Sequence, residues 1–314
     1  MQLITRPRTV AFVLIILLLA TTAQAQSDTA RLTLAAYNVK NLFDQFDDPY
    51  TKDETDDAKS PADLQALADV LRALNADILA LVEVENEGVL RAFADQYLSD
   101  LGYRHIAVSP TNSPWGMSVG IMSRQPISRI ASYRFCDLTL PDQPGKTWRF
   151  ARDLLHVTIP LSADQALQLF IVHFKSRRDS RGDAHSTHWR LAEAAATHQV
   201  INDLLHDDPQ SLIALLGDCN DTPASATLNT LLDAGSLLDI HAPLPADQRI
   251  TYLREPYRST VDYLLVSPAL YALLQPASAR VLHDQPLLRG SDHAPLAATF
   301  VFPFALRSSA ASAP

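Results

Sequence analysis

Residues 212–221 read LIALLGDCND. Leu212–Leu216 is apolar at every position, as in a strand covered on both faces of a sheet. Gly217 lets another backbone come close at the strand end. Beyond it, an extended segment places Asp218 and Asn220 on one side and Cys219 on the other. Apolar strands that end in polar side chains are how layered α/β enzymes gather a site from distant parts of the chain.

The same form recurs on both sides of this stretch. Asn38 follows the strand pattern Leu32–Tyr37, Glu83 closes the run Ile78–Val82, and His173 closes Leu169–Val172. Asp262 stands inside the apolar run Val261–Val266, and Asp292 and His293 precede a last strand at Ala297–Phe302. Further strands are predicted at Asp77–Val84, Ile106–Val108, Ser118–Ser123, Leu154–Ile159 and Leu167–His173. Helices are predicted at Pro61–Leu74, Val89–Leu101, Trp189–Leu205 and near Ala224–Leu232, the first opened by Ser60 as cap with Pro61 behind it. Strands alternating with helices, some joined as hairpins, give a layered α/β domain with mixed sheets. A lone Asp or Asn after a strand is usually a turn residue, and a lone His is usually structural. The recurrence carries the argument. A buried acid such as Asp262 also needs a partner, and a histidine is the obvious one.

Composition narrows the class. The chain has 314 residues, 47% apolar and 19% charged, which excludes collagen, a coiled coil and a mostly disordered protein. Two cysteines cannot make a disulfide framework or a four-thiolate zinc site. Residues 1–25 read as a signal peptide: Arg6 and Arg8, the apolar run 10–20, then Ala23-Gln24-Ala25 as a small-residue cleavage site. Removal of Arg6 and Arg8 with that leader takes the formal charge from −9 to −11. Such acidity argues against a protein that simply coats nucleic acid. It suits a metal-dependent enzyme, whose cation supplies positive charge at a phosphate. The expected organisation is a signal peptide at 1–25, a single domain at 26–304 and a disordered tail at 305–314, exported to the periplasm or the medium.

Six stretches, in order, resemble the endonuclease/exonuclease/phosphatase superfamily of deoxyribonuclease I-like phosphoesterases, as a secreted bacterial-type member. They are AAYNVKNLF at 35–43, ADILALVEVEN at 76–86, IVHFKS at 171–176, LLGDCND at 215–221, VDYLLVS at 261–267 and GSDHAP at 290–295. The resemblance implies a four-layer α/β (α+β) sandwich, two packed mixed β-sheets flanked by helices. It implies phosphoester hydrolysis with Mg²⁺ or Mn²⁺. It makes Glu83 the principal metal ligand, with Asn38 beside it, Asp292 a further metal-side carboxylate, and Glu85 the rival to Glu83. Asp218 and Asn220 would orient the attacking water and hold the phosphate. His293 would be the base or the phosphate-binding histidine, with Asp262 as its partner, and His173 a proton donor to the leaving oxygen. The chemistry agrees: hard Mg²⁺ takes carboxylate and phosphate oxygens, and imidazoles move protons near neutral pH.

Weaker signals remain open at this level. Arg152 in RFARDLLHV matches a phosphate-contacting arginine of relatives or is a surface ion pair. Lys175, Arg177, Arg178, Arg181 and Arg190 form a basic cluster after His173 that either holds a polyanionic backbone or is a solvated loop. His185 and His188 read as loop residues, and the acids of 44–57 lack ordered calcium-loop spacing. Cys219 is expected to pack as a small apolar group, with a Cys136–Cys219 disulfide as the alternative. Val82 replaces a Gln frequent before the metal-binding Glu, and Lys40 argues against the abasic-site repair branch. The leader, the basic loop and His173 together predict an exported nuclease of low sequence specificity, with nucleic acid as substrate. The alternative is a phosphatase or phosphodiesterase acting on lipid or small-molecule phosphates, sphingomyelinase-like or inositol-phosphatase-like. The chain is expected to act as a monomer without an obligate protein partner. A non-enzymatic binding module is disfavoured, because the matched polar positions are all filled.

Overall fold

The computed structural model describes residues 29–306 apart from 47, 53–57, 179, 181 and 284–287. The expected leader at 1–25 lies outside the described residues, as does the tail from 307 onward.

The chain runs β1 (Ala30–Leu42), α1 (Pro61–Leu74), β2 (Ile78–Val84), α2 (Glu87–Tyr97), β3 (His105–Ser109), β4 (Ser118–Ser123) and β5 (Arg129–Ser132). It continues through β6 (Leu138–Thr139), β7 (Thr147–Trp148), β8 (Leu154–Pro160), β9 (Ala166–His173), α3 (Thr187–Asp207), β10 (Leu212–Asp218) and α4 (Ala226–Leu231). It closes with β11 (Leu238–Asp239), β12 (Asp262–Val266), α5 (Pro268–Tyr271), β13 (Arg280–Val281) and β14 (Leu296–Phe302).

Two six-stranded sheets result, ordered β13-β14-β1-β2-β4-β3 and β11-β12-β10-β9-β8-β5. Both are mixed: β1 pairs with β2 in parallel and β14 antiparallel, and β10 pairs with β9 in parallel and β12 antiparallel. The inner faces meet in one apolar layer, where Leu34, Ala36, Ala80 and Val82 face Leu169, Ile171, Ala214 and Leu216. The opposite face of the first sheet is covered by Leu67, Leu71 and Leu74 of α1 and Leu90 and Phe93 of α2. That of the second is covered by Ala194 and Ile201 of α3 and Leu228 and Leu231 of α4, with Leu138 and Trp148 of the β6–β7 hairpin. This is the expected four-layer sandwich. Burial of strands on both faces explains why they read as unbroken apolar runs.

Helix α1 begins as predicted: the Ser60 side chain accepts from Asp63 N, with Pro61 in the first turn. Helix α2 is shifted from its expected 89–101. Asn86 caps it through Val89 N, and it ends at Tyr97 because Leu98 leaves helical geometry. Gly217 has φ +129°, and a Cβ there would lie 2.1 Å from Val172 O, so the close strand approach requires glycine. Cys136 is exposed and Cys219 buried, and both are free thiols, which removes the disulfide alternative. Cys219 instead packs under the second sheet with Phe174 and Tyr263.

Candidate active site

Strand register assembles the site. In the second sheet Asp218 lies opposite His173 on one side and Asp262 on the other, so three strands contribute one row of side chains. In the first sheet β1 and β2 both lose register at the same end, between Asn38 and Leu42 and between Val82 and Val84. At these irregularities Lys40, Asn41 and Glu83 have φ of 48°, 52° and 65°. Asn220, across the gap, has φ 51°. Left-handed backbone costs on the order of 1 kcal/mol or more at a non-glycine residue and concentrates where side chains are aimed for function. Here it turns Glu83 out of the strand alternation and toward the second sheet.

Asn38 ties the two sheets together. Its Nδ2 donates to Glu83 Oε1 at 3.0 Å and to Asp218 Oδ2 at 3.1 Å. Its Oδ1 accepts from Lys40 N at 3.0 Å, so it is the amide nitrogen that faces Glu83 and Asp218. Asn41 N donates to Glu83 Oε2 at 3.3 Å, and Asn220 N donates to Asp218 Oδ1 at 2.7 Å. His173 Nε2 stands 3.6 Å from Asp218 Oδ2 and 3.9 Å from Glu83 Oε1. The expected pair is present: His293 Nδ1 lies 2.7 Å from Asp262 Oδ2. Ser291 Oγ fixes this corner by donating to Asn38 O and accepting from His293 N. Asp292 lines the same cleft, with Lys40 Nζ 3.8 Å away. Glu85 is turned elsewhere: its carboxylate accepts from Asp44 N and Asn86 Nδ2. Glu83, and not Glu85, faces the cleft.

The electrostatics follow from burial and crowding. Burial, then the adjacent Asp262 carboxylate, pushes Asp218 up to about 7, while His293 and the Asn220 N–H pull the other way. Burial works against charge on His293. The Asp262 carboxylate and its hydrogen bond prevail, with Asp218 and Asp292 behind them, and His293 is pushed up to about 10. His173 goes the other way: burial, then Arg152 and His293, holds it well below the usual histidine range. At neutral pH this environment suits His173 as a neutral hydrogen-bonding imidazole and leaves His293 as the imidazolium.

Glu83, Asp218 and Asp292 line this cleft edge with Asp262 behind Asp218, and Asp262 Oδ1 is buried without a hydrogen-bond partner among the described residues. Asp218, Asp262 and His293 bring ligand-type atoms within 4.8 Å of one another and form a group that can hold a divalent cation. Within that group Asp262 Oδ2 is already engaged by His293 Nδ1. Glu83 and Asp292, whose side chains are 16% and 22% exposed, are the more open oxygen donors. A hard oxygen set of this kind fits Mg²⁺ or Mn²⁺.

The cleft has a volume of about 1190 Å³. Arg152 is buried in its wall and no carboxylate pairs with it among the described residues. Its Nη1 donates to Phe174 O at 3.0 Å, and its Nε has no partner among the described residues. The surface ion-pair alternative therefore falls. Asn220 Nδ2 donates to the same Phe174 carbonyl. Lys175, Arg177 and Arg178 line the cleft as the basic loop predicts, whereas Arg181 lies outside the described residues. Arg190 does not belong with them. It is 2% exposed, and its guanidinium is used by Asp221, Lys175 O and His185 O.

Several contributors were not foreseen. Tyr252 packs its ring 5.1 Å from that of His293, and Thr251 Oγ1 accepts from the Asp262 N–H. Trp115, Arg254 and Tyr257 extend the cleft wall. Glu193 of α3 is fully buried and accepts from Ala151 N and Lys175 N, both at 2.7 Å. It thereby clamps the segments that carry Arg152 and Phe174. None of these has a local pattern; only the tertiary structure brings them in.

The fold is shared with solved structures. The human Nocturnin catalytic domain with bound sulfate is 18% identical, with a TM-score of 0.63 over 87% of this chain and 96% of that one. Truncated TDP2 from Caenorhabditis elegans is 16% identical, with a TM-score of 0.59 over 86% and 97%. A 3′ phosphatase, NExo, from Neisseria, bound to a product DNA hairpin, is 20% identical, with a TM-score of 0.57 over 86% and 99%. A sequence search of curated proteins gave no match. The profile of the Endonuclease/Exonuclease/phosphatase family matches residues 33–253, and the chain belongs to that family. With its carboxylate–imidazole cluster at the strand ends, it is a metal-dependent phosphoesterase.

Proposed function

We propose that the chain is an exported nuclease of low sequence specificity, hydrolysing phosphodiester bonds of nucleic acid with Mg²⁺ or Mn²⁺. The observation that carries this reading is the cleft itself. It runs well beyond the catalytic cluster and is walled by cations and aromatic rings, Arg152, Lys175, Arg178 and Arg254 with Trp115 and Tyr257. A chain of phosphates and bases uses both kinds of surface. An isolated phosphate monoester uses cations close to the phosphate and has no need of the aromatic wall. The Neisseria 3′ phosphatase of the same fold, bound to a product DNA hairpin, is in keeping with nucleic acid as the substrate.

Glu83 and Asp292 would hold the divalent cation, with Asn38 fixing the Glu83 carboxylate. When bound, the cation neutralises charge on the phosphate and lowers the cost of charge on the leaving oxygen. The chain's own residues do the rest. Asp218, oriented by Asn38 and by the Asn220 N–H, accepts a proton from the attacking water. His293 as imidazolium and Arg152 bind the non-bridging phosphate oxygens, and Asn220 lines the same wall. Asp262 keeps His293 charged and fixes its ring. His173, neutral, hydrogen-bonds at the carboxylates and the leaving-group side.

The test is a substrate comparison with purified protein and Mg²⁺: supercoiled plasmid, RNA, bis(p-nitrophenyl) phosphate, sphingomyelin vesicles and an inositol phosphate. Turnover of the polymers above the small esters supports the reading. Turnover confined to the lipid or the inositol phosphate replaces it with the corresponding phosphodiesterase or phosphatase.

A further inference from the structure

A second cavity, of about 570 Å³, opens beside the catalytic cleft, between the β6–β7 hairpin and the start of α3. Arg149 and Trp189 line both cavities, so the second continues the first. The Trp189 indole is fixed at this junction by donating from Nε1 to Arg149 O at 2.7 Å. Lys175 stands over its ring, 5.7 Å from the centroid. Farther out, Lys146 Nζ lies 5.0 Å from the Trp148 ring, whose indole is nearly buried and anchors the hairpin. Arg149 projects an exposed guanidinium, which meets the exposed Asp137 at 3.3 Å and lies 5.9 Å from the centroid of the Phe135 ring. Cations are thus gathered along a line that leads away from the scissile position, on a chain with a formal charge of −9.

We propose that this cavity is a distal subsite for the nucleic-acid strand. It takes a nucleotide unit beyond the scissile bond, with its phosphate at Lys146 and Arg149 and its sugar or base against the Trp189 indole. Stacking on an indole requires an unpaired base, so the subsite selects single strands or frayed ends. The inference rests on the nuclease reading above and adds where the strand runs and in what form it is bound.

The test measures kcat/KM for oligodeoxythymidylates of increasing length, from the dinucleotide upward, with Mg²⁺, in wild type and Lys146→Glu. Wild type is expected to gain with length and then level off. Lys146→Glu is expected to lower the long-to-dinucleotide ratio about tenfold, through KM, because it reverses a phosphate-contacting charge. Asp137→Asn, which frees Arg149 from its competing carboxylate, is expected to raise that ratio and carries the test if Lys146→Glu does not fold. A ratio unchanged from wild type overturns the subsite while oligonucleotide cleavage keeps the nuclease reading. Absence of oligonucleotide cleavage by wild type overturns the nuclease reading and the subsite with it.

Discussion

His293 Nδ1 and Asp262 Oδ2 are 2.7 Å apart, both buried, and are contributed by the entry to one sheet and an edge-side strand of the other. The pair fixes a positive charge where a buried histidine alone would be neutral. In Asp262→Asn, burial is left to dominate and the His293 titration falls from about 10 to below neutrality. Proton NMR of the metal-free protein across pH 5–11 reads this directly. A wild-type His293 midpoint near that of free histidine contradicts the assignment.

Glu83 and Glu85 separate cleanly. Glu83→Ala is expected to weaken Mn²⁺ binding at least about tenfold and to abolish most turnover, since it removes an open ligand. Glu85→Ala loses bonds to Asp44 N and Asn86, away from the cleft, and keeps metal affinity within about twofold. Calorimetric titration of Mn²⁺ into each variant checks this. Equal losses in both, or loss only in Glu85→Ala, contradict it.

Glu193 acts by holding two segments in place. Burial pushes its carboxyl up to about 7 against an ordinary 4.5, in spite of the backbone donors and Arg152 and Arg190. Below about 4.5 both folded and unfolded states hold the proton. Between about 4.5 and 7 the unfolded chain has released it and the folded one has not, so stability falls as pH rises through that window. The loss is on the order of 3 kcal/mol. Glu193→Gln is expected to flatten the dependence of Tm on pH between 5 and 7. By presenting an amide NH₂ to one backbone N–H, it also lowers kcat about tenfold or more through misplacement of Arg152. Tm profiles of wild type and variant that run parallel contradict the first expectation, and an unchanged kcat the second.

Gly217→Ala meets Val172 O in a backbone conformation that disfavours any side chain. The expected loss is more than about 3 kcal/mol, from steric overlap and left-handed strain together. Denaturant melting measures it. A loss below about 1 kcal/mol would mean that β9 and β10 separate there at little cost.

Much of this site is legible in the sequence because each strand is an apolar run with a polar end. Asn38, Glu83, His173, Asp218 and Asp292–His293 announce themselves in that way, and strand register then brings them together. What escapes is whatever has no local signature. Glu193 lies in an Ala-rich helix, where an acid reads as solvated, yet it is fully buried. Arg190 shares a basic stretch with Arg177 and Arg178, but helix α3 turns it inward onto Asp221. The strands β6, β7, β11 and β13 are two residues each, too short for an alternation to register. Nothing in VEVEN predicts that Glu83 adopts φ 65°, which decides that it and not Glu85 faces the cleft.

The central claim is that Asp218 works in a metal-dependent cleavage of nucleic acid. The direct measurement is nicking of supercoiled plasmid at pH 8 by wild type and Asp218→Asn, each with Mg²⁺ and with EDTA, with thermal melts run in parallel. Wild type is expected to cut with Mg²⁺ and not with EDTA. Asp218→Asn is expected to lose at least about 10² in rate while still melting as a folded protein, because relief from burying a carboxylate offsets the amide NH₂ it turns toward Asn38 or Asn220. Cleavage that survives EDTA, or an Asp218→Asn protein that keeps more than half the wild-type rate, contradicts the account.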